Sequence, residues 1–167
     1  MLFRSISGMK ATMLEGGSRV PFAVSWPGTT PAGKVCPDLT DFSDFFPTIA
    51  ELAGAKLPDG VKIDGHSIAA QIKGEAGTPR EWVYVELNGK HYVTSTRWKL
   101  THSGDLFDMK EAPFKEIAIA RDTADAEAIA ARKQLQEALD KLAPTATASP
   151  APKKDKALRK LKKKAAQ

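Results

Sequence analysis

The chain has 167 residues with a net charge of +5, and its surplus of positive charge lies at one end. From Lys153 onward there are eight basic residues and one acidic residue, while the rest carries 17 basic and 19 acidic residues. The body is therefore nearly neutral, which excludes a broad basic surface for nucleic acid or anionic lipid outside the tail. A single cysteine, Cys36, excludes an internal disulfide, and no apolar run is long enough to span a membrane.

The first part of the chain predicts a turn followed by a strand. Residues 15–19 read Glu-Gly-Gly-Ser-Arg, where we expect the glycines to adopt positive φ in a tight turn. The nearly continuous apolar run Val20–Trp26 predicts a strand buried on both faces, ended by Pro27-Gly28.

Two short helices are predicted next. The first has Ser43 or Asp44 as its cap, Pro47 in its first turn and Gly54 at its end. Its predicted apolar face consists of Phe45, Ile49 and Leu52. The second is a helical turn that Ser67 can cap and that stops at Gly74.

A small antiparallel sheet and a long helix follow. Residues 82–87 and 90–94 flank Asn88-Gly89, a strong hairpin signal, and residues 98–102 and 105–107 predict two more strands. Residues 124–142 predict a helix that Pro144 ends. Its apolar stripe comprises Ala124, Ala128, Ala131, Leu135, Ala138, Leu139 and Leu142. Residues 143–167 are of low complexity, and we expect them to be disordered.

Several motifs occur in an order that points to a known family. Residues 10–21 read Lys-Ala-Thr-Met-Leu-Glu-Gly-Gly-Ser-Arg-Val-Pro and lead to Trp-Pro-Gly at 26–28. Residues 44–54 contain Asp-Phe-Phe-Pro-Thr and end in Ala-Gly, and residues 64–67 read Asp-Gly-His-Ser. Arg-Trp-Lys-Leu at 97–100 and Leu-Phe-Asp at 106–108 come last. In this order the motifs resemble the C-terminal part of a sulfatase of the arylsulfatase type.

The resemblance implies an α/β fold of the alkaline-phosphatase-like superfamily. Residues 1–55 would form the end of the mixed sheet of the core domain. Because the strands beside Val20–Trp26 would lie upstream in a complete sulfatase, we expect Phe22, Val24 and Trp26 to stay partly uncovered here. Residues 56–143 would form the C-terminal subdomain, an antiparallel sheet packed on a terminal helix, and residues 144–167 a lysine-rich tail. Family members are often exported, although no signal peptide is recognisable at the start of this sequence.

The resemblance also implies chemistry that this sequence carries only in part. Sulfatases attack a sulfate ester with a formylglycine, made within a Cys/Ser-x-Pro-x-Arg motif, and hold a calcium ion with carboxylates and an amide. Neither that motif nor the upstream calcium ligands occur here, so we expect no catalytic residue, no metal ligand and no activity of the chain alone. Lys10 stands at the position of the family's sulfate-contacting lysine.

We expect the other candidate residues to have structural rather than chemical roles. We expect Glu15, Gly16, Gly17 and Arg19 to shape the backbone, with Glu15 and Arg19 pairing. Cys36 is followed directly by proline and lacks the arginine of the modification motif, so it reads as an inert thiol. The histidines at 66, 91 and 102 lack ligand spacing, and the aspartates at 38, 41 and 44 lack the glycine and glutamate of a calcium loop.

Two alternatives to a sulfatase remain open. The parent enzyme could be a related phosphonate or phosphodiester hydrolase, which the upstream motif would distinguish. A different reading makes the chain a non-enzymatic module whose eight basic residues after position 152 bind an anionic polymer weakly. Because no aromatic residue lies among them, base stacking and specific nucleic-acid binding are not expected.

Overall fold

The computed structural model describes residues 5–146, with side chains described to Leu142. The helices are α1 Glu15–Ser18, α2 Phe45–Leu52, α3 Ala69–Lys73 and α4 Ala126–Ala146, and a 3₁₀ turn, Phe42–Asp44, precedes α2. The strands are β1 Val83–Leu87, β2 Lys90–Thr94, β3 Trp98–Thr101, β4 Leu106–Asp108 and β5 Ile117–Ile119. Within the described residues, no helix is long and apolar enough to cross a membrane.

The five strands form one antiparallel sheet in the order of the chain. Its first hairpin pairs Val83 with Thr94 and Leu87 with Lys90. Asn88 and Gly89 connect the two strands with φ of 53° and 75°, the left-handed values that a two-residue hairpin turn requires. The predicted hairpin is confirmed because its signal is local: these two residue types adopt positive φ at low cost.

Helix α4 covers one face of this sheet and forms the main core with it. Buried strand residues meet a buried stripe of the helix: Val93, Trp98, Leu100, Leu106, Ala128, Ala131, Leu135, Ala138 and Leu139. The predicted antiparallel sheet packed on a C-terminal helix is therefore confirmed. Two details of the helix were wrong, because Ala124 lies before its first residue and the helix runs past Pro144 to Ala146.

The N-terminal segment covers the opposite face of the sheet. Alternation along β2 and β3 directs Tyr92 and Lys99 away from α4, yet both are at most 2% exposed. The Tyr92 hydroxyl donates to Ser18 Oγ at 2.6 Å, and the Lys99 ammonium donates to the Met13 carbonyl at 2.7 Å. These contacts join residues on the two sides of the predicted boundary at position 55, and the division into domains stays a prediction.

The predicted strand Val20–Trp26 does not form. Residues 19–26 belong to no helix or strand, and Phe22 and Trp26 are 50% and 41% exposed. A strand exists only through a partner, and no segment of the described chain pairs with this one. Val20–Trp26 has the apolar composition of a buried strand but remains unpaired. The expectation that Phe22, Val24 and Trp26 are partly uncovered is confirmed.

The α2 region has a different cap and a different buried face from those predicted. The Asp41 side chain accepts from Ser43 N, and Asp44 accepts from Asp41 N, so Asp41 is the cap of a reciprocal capping box. Ile49, predicted to face the core, is 64% exposed, whereas Pro47, Thr48 and Ala50 are buried. Asp44, at the start of α2, is itself 0% exposed, so a polar side chain shares the buried face of this region.

Two further elements complete the comparison with prediction. Gly74 ends α3 with φ of 82°, so the predicted stop is confirmed. The predicted cap was wrong, because Ile68 occupies the cap position and Ser67, one residue earlier, accepts from Ala69 N at 3.2 Å. Strand β5 was not predicted, because a segment of three residues carries too little periodicity to be recognised. Residues 147–167, for which disorder was predicted, lie outside the described residues.

Candidate functional site

Lys10 stands at the tip of a tight turn, Met9–Thr12, which we call the Lys10 turn. Thr12 N donates to the Met9 carbonyl at 3.1 Å, which leaves Lys10 and Ala11 as the two central residues. Thr12 Oγ1 donates to the same carbonyl at 2.6 Å and accepts from Met9 N at 3.2 Å. The turn is therefore closed by three hydrogen bonds, and it presents an exposed lysine.

Ala11 carries backbone strain at the centre of this turn. Its φ is 66°, in the left-handed region that residues with a Cβ adopt at a cost. Apart from Asn88, it is the only non-glycine residue with positive φ in the described chain. Strain of this kind persists where the surroundings hold the backbone in place, and it often marks functional segments.

The Glu-Gly-Gly-Ser sequence of α1 packs directly beneath the Lys10 turn. Gly16 N donates to the Ser7 carbonyl at 2.8 Å. A Cβ at Gly16 would lie 2.7 Å from the Gly8 carbonyl oxygen, and one at Gly17 would lie 2.2 Å from the Thr12 carbonyl oxygen. The glycines are required because two backbone segments touch, and the predicted positive φ was wrong, since neither glycine adopts it.

Glu15 and Arg19 close the same helical turn from the other side. Glu15 is 8% exposed and accepts from Arg19 Nη1 at 3.2 Å, and Arg19 N donates to the Glu15 carbonyl at 2.8 Å. The predicted pairing of these two residues is confirmed. Their side chains are satisfied by each other, which makes their part in the site architectural.

The Lys10 turn is fixed to the sheet by the side chains that cross from β2 and β3. Lys99 donates to the carbonyl of Met13, three residues after Lys10, and it also forms an ion pair with Glu116 at 2.8 Å. Its ammonium lies 4.2 Å from the centroid of the Tyr92 ring. Burial raises the pKa of Tyr92, so its phenol remains a neutral hydrogen-bond donor to Ser18.

An open cavity of about 390 Å³ adjoins the Lys10 turn. Ala11, Thr12 and Met13 form one wall, and the end of the first hairpin together with the end of β3 forms the other. The residues of that second wall are Leu87, Asn88, Lys90, His91, Tyr92, Thr101, His102 and Ser103. The Lys10 turn therefore borders a recess rather than a flat surface.

The sheet brings two of the three histidines together. The rings of His91 and His102 lie 5.1 Å apart between centroids, on the neighbouring strand ends that border the cavity. Sequence spacing gave no sign of this pair, because antiparallel pairing of β2 and β3 creates it. Among the described residues no group of three His, Cys, Asp or Glu side chains could hold a metal ion.

The remaining candidates from the sequence have separate partners. Asp41 caps the 3₁₀ turn, and Asp38 accepts from Gln71 Nε2 at 3.3 Å. Cys36 is exposed in the loop before Asp38. The aspartates at 38, 41 and 44 therefore do not converge on one ion.

Asp44 forms a buried ion pair that the sequence did not reveal. Its side chain is 0% exposed, and Arg80, 9% exposed, donates to it from Nε and Nη2 at 2.6–2.9 Å. Arg80 Nη2 also donates to Ser43 Oγ and to the Asp64 carbonyl, and His66 N donates to Asp44. Burial is the largest single influence and favours the neutral acid, but the hydrogen bonds from Arg80, His66 N and Asp41 N together outweigh it and hold the pKa of Asp44 below its usual value.

Comparisons with known proteins agree with this architecture. Residues 9–145 match the family model described as N-sulphoglucosamine sulphohydrolase, C-terminal. Human arylsulfatase D is 38% identical over 94 residues, covering 56% of this chain and 16% of that protein. Mouse steryl-sulfatase is 38% identical over 98 residues, 58% of this chain and 15% of that protein. Mouse arylsulfatase G is 41% identical over 70 residues, 42% of this chain and 13% of that protein.

Because the family model covers most of the chain, the protein belongs to the sulfatases, through their C-terminal region. The resemblance expected from the motifs is thereby confirmed. The chain spans less than a fifth of the length of these curated relatives. Sulfatases in general use calcium and a formylglycine, and the described residues do not fit a calcium site, since no suitable ligand cluster exists among them.

Proposed function

We propose that this chain supplies the C-terminal region of a sulfatase that hydrolyses sulfate monoesters, and that Lys10 contacts a sulfate oxygen of the substrate. The observation that carries the proposal is an exposed lysine, without an ion-pair partner among residues 5–146, held at the tip of a turn closed by three hydrogen bonds. An ammonium group offers three donors and a compact charge to a sulfate oxygen.

The way the turn is held supports this role. The oxygens around sulfur carry negative charge throughout the reaction, and donors fixed beforehand around them neutralise that charge and hold the ester in its reactive position. The glycines beneath the turn and the Lys99 anchor fix its backbone, so the stem of Lys10 starts from a defined point. A surface lysine with only a solubilising role would need none of this support.

The chain alone is proposed to be inactive. Its sequence contains no Cys/Ser-x-Pro-x-Arg motif to provide the formylglycine nucleophile. Lys10 therefore acts together with a nucleophile and metal ligands supplied by residues outside this sequence. We expect the purified chain to leave 4-nitrophenyl sulfate and 4-nitrophenyl phosphate intact, with or without calcium, and turnover that co-purifies with the chain would contradict this.

A chimeric enzyme tests the role of Lys10. Residues 1–167 replace the C-terminal region of arylsulfatase G, whose own N-terminal region provides the nucleophile. Lys10→Ala should lower kcat/KM for an aryl sulfate by about 100-fold or more, as removal of one transition-state donor does. Lys56→Ala, an exposed loop lysine, is the control and should leave the rate unchanged. Equal rates for Lys10→Ala and the control would refute the proposal.

A further inference from the structure

Lys99 is buried on the face of the sheet that α4 does not cover. Its side chain is 2% exposed, and its ammonium has an ion-pair partner, Glu116 at 2.8 Å, that is itself 10% exposed. The ammonium lies over the Tyr92 ring and donates to the Met13 carbonyl at 2.7 Å. Lysine is rarely buried this deeply in proteins, so its presence here requires a reason.

Stability is an insufficient reason. Taking a lysine and a glutamate out of water costs as much as their attraction returns, and two apolar side chains of the same volume often stabilise a core equally well. The contact that an apolar pair could not replace is the hydrogen bond to the Met13 carbonyl. That bond spans 86 residues of sequence and connects β3 to the end of the segment that carries the Lys10 turn.

We infer that Lys99 is a positioning residue, which fixes the Lys10 turn to the sheet so that the Lys10 ammonium meets the substrate in a defined place. The inference rests on the proposed function of Lys10. Lys99 does not contact the substrate, because the N-terminal segment covers it. Tyr92 and Glu116 both contact the Lys99 ammonium and keep it beside the Met13 carbonyl. The Tyr92 hydroxyl also donates to Ser18 Oγ at 2.6 Å, which is a second contact between the sheet and the N-terminal segment.

The first test uses the whole chain and needs no enzymatic activity. Lys99→Met removes the donor, and Lys99→Met combined with Glu116→Gln removes it without leaving a buried charge unpaired. In either variant, hydrogen exchange at the Met9 and Thr12 amides, which are bonded within the turn, should accelerate by about 10- to 100-fold, the loss expected for a charged hydrogen bond. Exchange within α4 should stay unchanged. Lys133→Met, an exposed substitution on α4, is the matched control.

Exchange at the Met9 and Thr12 amides that equals that of the Lys133→Met control in both variants would overturn the inference. If Lys99→Met alone accelerates exchange throughout the chain, the cause is the unpaired charge left on buried Glu116. The double variant with Glu116→Gln then decides, because slow exchange within its α4 shows that the sheet is intact. This result is independent of whether Lys10 binds sulfate.

The second test uses the chimeric enzyme and a double-mutant comparison. Lys99→Met should lower kcat for an aryl sulfate, and adding it to Lys10→Ala should cause no further loss, because Lys99 acts only through Lys10. Lys99→Arg, which retains a donor for the Met13 carbonyl, should recover part of the rate. Losses that multiply would show a general structural role and refute the inference. A normal rate for Lys10→Ala would instead refute the proposed function of Lys10.

Discussion

Replacing Arg80 by methionine should be among the most destabilising single changes in this chain. Methionine fills much of the same volume but leaves the Asp44 carboxylate, which is 0% exposed, without a cation. Removing one partner of a buried ion pair costs about 3–5 kcal/mol. The same change removes the donors to Ser43 Oγ and the Asp64 carbonyl, which connect α2 to the loop before α3.

Urea unfolding followed by tryptophan fluorescence measures this loss. With a slope of about 2 kcal/mol/M, a loss of about 4 kcal/mol lowers the unfolding midpoint by about 2 M. Arg121→Met is the matched control, because Arg121 pairs with Asp105 at the surface and is 70% exposed. We expect its midpoint to shift little. Equal midpoints for the two variants would refute the claim that the Asp44–Arg80 pair holds this region together.

The same pair predicts how stability depends on pH. The folded-state pKa of Asp44 lies below its unfolded value, so its stabilising contribution is fully present above the ordinary aspartate pKa. That contribution is lost as the pH falls through the lowered folded-state pKa. In Arg80→Met, burial is opposed only by the backbone donors of His66 and Asp41, so protonation of Asp44 should begin at a higher pH. Identical pH profiles for the two proteins would contradict this reasoning.

Three further predictions concern the first part of the chain. Gly17→Ala should lower the free energy of unfolding by about 1–3 kcal/mol, because its Cβ would meet the Thr12 carbonyl oxygen; an unchanged urea midpoint would show that α1 can move away from the Lys10 turn. Ala11→Gly should raise the free energy of unfolding by up to about 1 kcal/mol by relieving its positive φ, and a decrease would show that Ala11 is unstrained. The whole chain should bind a hydrophobic dye through the exposed apolar residues of Val20–Trp26, and the double variant Phe22→Ser, Trp26→Ser should remove much of the dye fluorescence. Unchanged fluorescence would show that the dye binds elsewhere.

The features that sequence predicted correctly depend on neighbouring residues. Asn88-Gly89 determines the first hairpin through its own φ preferences, and Gly74 ends α3 through its left-handed φ. The stripe of α4 repeats at three and four residues, so its buried face was recognisable. In each case the pattern and the structure share one local cause.

The features that sequence missed depend on distant partners. The segment Val20–Trp26 has the composition of a strand, but no described segment pairs with it. Lys99 reads in sequence as a charged residue of a motif, and only the fold shows it buried beneath the Lys10 turn. Arg80 lies in a loop with no local pattern, although it satisfies a carboxylate 36 residues earlier. Long-range partners of this kind leave no periodic signal in one sequence.

In the candidate site, too, local features were predicted from the sequence and features that depend on distant partners were not. Lys10 was identified through its place in a motif, and the structure shows why that motif needs two glycines: they let α1 pack against the backbone of the Lys10 turn. The cavity beside the turn and the neighbouring rings of His91 and His102 arise from strand pairing, which the separate histidines could not indicate.

The most direct measurement of the central claim is a crystal structure of the active chimeric enzyme with inorganic sulfate bound at its catalytic centre. The account predicts that the Lys10 ammonium lies about 2.7–2.9 Å from a sulfate oxygen, the length of a charge-assisted hydrogen bond. It also predicts that the Lys10 turn keeps its contact with Lys99. A bound sulfate that the Lys10 ammonium does not approach, with the turn directed into solvent, would contradict the account.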